Sequence, residues 1–301
     1  MKVQYLIYWC FFISVLAKAQ YTTPGSGLIY TLDNLSSISS GTVIKESNTI
    51  YSIVSNLKIS QNDSLIIDTN NVIIKINPGI TITVAGYMET NSLMSQFINT
   101  NLAQPYNGFL FEYGSKAKLI NAKFSNGGGL KFQTGNIVID NCEFSQNVSG
   151  ISTNAAVEFA DSSISNSNAV FYPVIKNSKF IENSNSAFFG TIWTAKNFKF
   201  INNYIYKNGK HNKAQIEFDE YVSGTNNNDS IIIKDNYIIG NRNFSDVGGV
   251  HIKTSKSKFI VAGNNIKDNS YGVFMDMLPN FESSNVKNFF YDNILEFNNT
   301  G

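Results

Sequence analysis

Arginine is nearly missing from this chain: Arg242 is the only one, and histidine and cysteine occur twice each. So few histidines and cysteines argue against a transition-metal cluster of the usual ligand types. Cys10 lies in an apolar N-terminal run, so beyond that run only Cys142 remains and no internal disulfide is available. Charge of either sign is scarce too, at 15% of residues. The two signs almost cancel, which argues against a basic face for a phosphate backbone and hence against a nucleic-acid partner. After residue 19 no apolar run reaches membrane-spanning length. No nucleotide-binding glycine loop occurs either, because "NGGGL" (126–130) follows a strand bend instead of opening a helix.

What fills the space is asparagine, with 42 in 301 residues. Asparagine is a poor helix former and a mediocre strand former, so such an excess needs a structural cause. Hydrophobic residues make up 43%, enough for a sizeable core. Residues 1–19 read as a secretory signal peptide. Lys2 supplies the positive start, "YLIYWCFFISVL" the apolar stretch, and Ala17-Lys18-Ala19 the small-x-small cleavage pattern. Its removal leaves 21 basic against 22 acidic residues. The mature chain is expected to be secreted or displayed on a cell surface, standing on burial and backbone pairing alone.

The asparagines recur at fixed offsets. "IDNCEFSQN", "IKNSKFIEN", "FINNYIYKN", "IKDNYIIGN", "VAGNNIKDN" and "FYDNILEFN" share one pattern. Its turn position holds Asn121, Asn141, Asn177, Asn202, Asp235, Gly263 and Asp292 in succession, with an early outlier at Asn56. Asn, Asp and Gly are the residues that tolerate a left-handed backbone, so each copy predicts a short strand, a tight bend and a second short strand. Period-two alternation flanks each bend, whereas helical spacing does not fit. Successive bends lie 20, 36, 25, 33, 28 and 29 residues apart. One fixed motif per variable interval predicts stacked coils with loops of unequal length, the asparagines hydrogen-bonding in columns along the axis.

This pattern, apolar-x-[NDG]-x-x-apolar-x-x-Asn, resembles the right-handed parallel β-helix families, the pectin-lyase-like group in particular, over roughly residues 50–298. The fold class implied is all-β, a right-handed parallel β-helix with a short N-terminal capping helix. The layout also resembles exported Gram-negative bacterial β-helix proteins. The expected organisation is signal peptide 1–19, cap region 20–49 and β-helix 50–301, its C-terminal end uncapped or truncated. "YTLDNLSSIS" (30–39) predicts the capping helix with Thr31 as N-cap. Residues 64–88 alternate strongly and should supply the first strands, while 89–108 break the pattern and should loop out.

Strand segments after the variable loops align as "GLKFQT", "AQIEFDE", "GVHIKT" and "GVFMDM". Alternation then sends Lys131, Glu217, His251 and Phe274 outward in one column, and Gln133, Asp219, Lys253 and Asp276 in another. Glu217, Asp219, His251, Lys253 and Asp276 are the candidate catalytic or binding cluster, with Glu220 and Asp246 nearby. In the resembled family this face is the substrate cleft. The resemblance implies calcium held by carboxylates, here Asp219 and Asp276, and an Arg or Lys base acting beside a uronate carboxylate. Paired-carboxylate glycoside hydrolysis by Glu217 with Asp219 or Asp276 is a further option. The polygalacturonase-like Asn-Thr-Asp, Asp-Asp and Gly-His-Gly strings are absent. Alternating signs on adjacent strands also fit a plain surface charge ladder, so the residues leave both readings open. Arg242 and His211 sit in polar loops and read as solvated. Tyr204, Tyr206, Tyr237, Tyr271 and Phe244 lie in or near turns, as sugar platforms or as stacked core. Two functions follow from the sequence: a secreted or surface scaffold that binds polysaccharide, or a lyase or glycoside hydrolase acting on an acidic polysaccharide.

Overall fold

The structure, a computed structural model, describes residues 20–160, 172–191, 198–209, 213–219, 230–240, 247–254, 258–277 and 288–298. The signal sequence expected over 1–19 lies outside them, as do His211, Glu220, Arg242, Phe244 and Asp246. Among the described residues no helix is long and apolar enough to cross a membrane.

The strands form three sheets of ten, ten and eleven strands, and each coil contributes one strand to each sheet in turn. Pairing is parallel throughout except where Val43–Lys45 runs antiparallel to Ile50–Ile53. The result is a parallel β-helix. Strand pleating sends alternate residues inward, and the third sheet's central inward position carries Phe97, Phe124, Phe144 and Phe180, then Ile205, Ile238 and Ile266. The rings stack on one another: Phe97 on Phe124 at 4.6 Å between centroids, Phe124 on Phe144 at 5.4 Å, Phe144 on Phe180 at 4.9 Å.

Between the second and third sheets the chain turns on one left-handed residue. Asn121, Asn141, Asn177, Asn202, Asp235, Gly263 and Asp292 all have φ between 52 and 64°. A second left-handed residue stands five positions later in six of these seven coils; Asn126 and Asp268 are of the expected type, but Gln146, Glu182, Lys207 and Phe297 are not. Such residues resist this conformation by about 1–2 kcal/mol. Their backbone N–H groups carry the inter-coil pairing onward, as from Gln146 to Ile181 O at 3.0 Å and from Lys207 to Ile239 O at 2.9 Å, which holds them there.

The bend asparagines touch along the axis only in part. Asn141 donates to Asn121 Oδ1 at 2.7 Å and Asn202 to Asn177 Oδ1 at 2.6 Å, but Asn177 turns to Asp140 instead. These side chains are exposed. The continuous columns are buried, one and six positions past the bend start. In the first, the backbone N–H of Cys142, Ser178, Asn203, Asn236 and Asn264 each donates to the side-chain oxygen of the next rung, ending on Asn293, at 2.9–3.1 Å. Each Asn amide then reaches back to a carbonyl of the preceding coil, for example Asn236 to Phe200 O at 2.9 Å. Asn147, Asn183 and Asn208 repeat this arrangement at the next corner.

Other expectations need correction. Residues 89–108 do not loop out as a block: Ser95–Asn99 is a regular third-sheet strand with Phe97 in the core, and only the stretch after Asn99 departs. Asn56 is no member of the bend column, since it precedes a first-sheet strand, Leu57–Ile59. The strands within 64–88 are present but not the earliest, because Tyr21–Thr22 and Ile29–Tyr30 already pair with the next coil. The helix Leu32–Ile38 forms with Thr31 as N-cap and buries Leu32 and Leu35 over the first coil. At the opposite end Phe290 and Leu295 occupy inward positions, yet each is 45% exposed, with no described residue over them.

Asn236→Ala would leave the Asn203 N–H and the Phe200 carbonyl unpaired in the interior, a loss of about 2–4 kcal/mol. The exposed Asn202→Ala should cost only about 1–2 kcal/mol, the left-handed backbone term. Urea unfolding of the two variants checks the difference, and equal midpoints would contradict the ranking.

Candidate functional site

The longest connections between strands, those spanning 161–173, 220–229, 240–249 and 278–288, all enter or leave strands of the first sheet. Near the C-terminal end its strands are Ile216–Asp219, Val250–Thr254 and Val273–Met277. Ile216, Phe218, Val250 and Ile252 are fully buried, so their neighbours must face out. Cα pairing runs Glu217–His251–Phe274 along one column and Asp219–Lys253–Asp276 along the next. All five predicted cluster residues therefore share one face.

Lys131 does not join them. Two coils missing from the sequence alignment, Ala155–Ala160 and Ser186–Thr191, intervene and place Glu158 and Phe189 between Lys131 and Glu217. Glu158 is almost wholly buried and structural. It meets Lys131 at 3.3 Å and accepts from the Ser152 hydroxyl and the Thr153 and Asn154 N–H groups at 2.8–3.0 Å. "AAVEFA" and "SAFFGT" escaped alignment because apolar residues stand on both faces of those strands.

Within the cluster, His251 Nδ1 lies 4.0 Å from Glu217 Oε1 and Lys253 Nζ lies 3.5 Å from Asp219 Oδ1. His251 packs on Phe274 at 5.2 Å between centroids, and Tyr271 meets the same ring at 5.8 Å. Tyr271 seats on Gly248, where any Cβ would fall 1.9 Å from the phenol ring. Burial, reinforced by the charge of Glu217, pushes the Tyr271 hydroxyl up to about 12. Burial also raises the Glu217 carboxyl above its ordinary value, against the pull of His251 and Lys213. Lys213, which sequence reasoning passed over, reaches Asn154 Oδ1 at 2.8 Å and so lies at the rim of the cluster. Its position comes from a loop-flanking residue with no motif to mark it. Tyr204, Tyr206 and Tyr237 belong elsewhere, stacked together on the outward face of the third sheet.

The arrangement does not fit a calcium ion shared by Asp219 and Asp276. Lys253 stands between them in register, two strand spacings or about 10 Å separate their backbones, and no group of three acidic, histidine or cysteine side chains among the described residues converges on a cation. It does fit a polyhydroxylated ligand. His251 Nε2 is buried and without a hydrogen-bond partner among the described residues. Glu217 can donate as well as accept over a widened pH range, and half-exposed Phe274 offers an aromatic wall.

The right handed beta helix region family matches residues 107–290. No curated protein matches the chain. Among solved structures, the chain is similar to a point mutant of the periplasmic alginate epimerase AlgG, at 13% identity and a TM-score of 0.41, covering 82% of this chain and 65% of that one. It is also similar to AlgG itself, at 11% identity and a TM-score of 0.38, covering 90% of this chain and 83% of that one. The chain thus spans just under two thirds of the first of these structures.

Because the folded state holds the Glu217 proton more tightly than the unfolded one, the associated stability is fully present below the unfolded pKa. It is lost as pH rises through the folded pKa. Glu217→Gln should therefore raise the urea midpoint at neutral pH, and the two proteins should converge below the 4.5 of an ordinary glutamate. A variant less stable than wild type at pH 7 would contradict this.

Proposed function

The chain belongs to the right-handed beta-helix family, and from that premise we propose that it is an exported rod that binds polysaccharide on its first sheet. Residues 1–19 act as its export signal in this reading. Glu217, His251 and Phe274 hold one sugar unit, with Tyr271 and Lys213 shaping the rim and the Asp219–Lys253–Asp276 column alongside. The observation that carries the reading is the buried His251 Nε2, without a partner among the described residues, beside an aromatic ring that is 50% exposed. A buried polar atom without a partner costs free energy that a ligand hydroxyl would relieve. Rings against sugar faces with polar groups at the edges are how a near-neutral protein grips a neutral or acidic glycan.

A second reading, glycoside hydrolase or polysaccharide lyase, rests on Glu217 alone. A carboxyl raised by burial is poised as a proton donor, and Asp219, two residues along the same outward face, would supply the second carboxylate. Such environments are how paired carboxylates divide acid and base roles.

A panel of acidic and neutral polysaccharides separates the two. Saturable binding without product, weakened about tenfold by Phe274→Ala, is the expected result. Release of reducing ends or of unsaturated uronide, abolished by Glu217→Gln, would instead establish the enzyme. Binding untouched by either substitution would remove the site from this face.

A further inference from the structure

A second groove, about 690 Å³ in volume, runs along the corner between the first and second sheets, over the early coils. Its nearest coil lies three coil steps, about 14 Å along the axis, from the strand carrying Glu217. Here the corner is closed by short turns, in contrast to the long connections beyond residue 160. Its floor stays bare. At Gly86 a Cβ would fall 2.1 Å from Asp63 O, and at Gly114, with φ +81°, none is present to fill the space above.

The wall is built from second-sheet residues in register. Tyr87 pairs with Lys116 on one outward column, and Glu89 with Lys118 on the next. Glu89 is engaged on both oxygens: it accepts from Lys118 Nζ at 2.7 Å and from the Tyr87 hydroxyl at 2.8 Å, which fixes the Tyr87 ring. The groove's other acid, Asp63, is also used up, by the backbone N–H groups of Gly25, Gly27 and Leu28 at 2.7–3.1 Å. Lys118 is thereby neutralised, whereas Lys116 is exposed and has no carboxylate partner among the described residues. The remaining lining mixes the amides of Gln61, Asn62 and Asn136 and the Ser64 hydroxyl with the apolar Ala85, Ala117 and Val138.

We propose that this groove binds a carboxylated oligosaccharide, its carboxylate on Lys116, its hydroxyls on the amides and one sugar ring along Tyr87. The Asp63 oxygens turn to the backbone N–H groups and Glu89 is paired with Lys118, so the ammonium of Lys116 is the charged group left to meet a ligand carboxylate. This mixed lining matches a sugar, with its hydroxyl edges and apolar ring faces, better than a wholly apolar molecule, which would leave the three amides desolvated and unpaired.

The inference is independent of the first-sheet reading, and the test keeps them apart. Hexagalacturonate is titrated by calorimetry into the full chain carrying Glu217→Gln and Phe274→Ala. One site should remain, its affinity falling as salt is raised. Adding Lys116→Gln should weaken it about tenfold or more, while Lys116→Arg should retain it. Lys116 is exposed, so these variants are expected to fold. No binding to the double variant, or binding within twofold after Lys116→Gln, would overturn the proposal whatever the fate of the first-sheet site.

Discussion

One interaction organises this molecule: a side-chain oxygen at a coil corner accepting the backbone N–H of the preceding coil. Sheet pairing satisfies the three flat sides of each coil, but corners would otherwise leave buried donors unpaired. Cys142, Ser178 and then Asn203, Asn236 and Asn264 occupy that corner in turn, and from Asn203 onward each amide also closes a carbonyl of the preceding coil. Buried hydrogen bonds of this kind are individually modest but expensive to leave unmade. With corners fixed, sheet register follows, and register sets which outward side chains meet.

That order of dependence explains what could be read in advance. The left-handed bend at Asn141 or Asn202 was legible because few residue types tolerate it. The buried column one position later was not, since its early rungs are Cys142 and Ser178, which carry no such signature. The second left-handed position was hidden for the same reason, being held at Lys207 and Glu182 by inter-coil pairing instead of by residue type. Alternation revealed that Glu217, His251 and Phe274 face outward together. It could not reveal the coils holding Glu158 and Phe189, where apolar residues face both ways, nor Lys213, placed by tertiary packing.

The two sites illustrate different uses of one scaffold. On the first sheet a carboxyl, an imidazole and an aromatic ring crowd together, and burial alters the Glu217 proton affinity. On the early corner Asp63 is held by backbone N–H groups and Glu89 by Lys118, while Lys116 has no carboxylate partner among the described residues. Asp219 and Asp276 show the limit set by register: carboxylates two strands apart with a lysine between them make a surface ladder, not a chelate.

Because every coil meets only its immediate neighbours through the same corner geometry, loss or duplication of a whole coil would restore an equivalent junction. The span between the Lys116 groove and the Glu217 cluster would then change in discrete steps of about 4.8 Å, without altering the rotation of either about the axis by more than the local twist. Lineages built on this frame would differ in reach as a ruler differs in marks, and a polymer long enough to touch both places would sense that number directly.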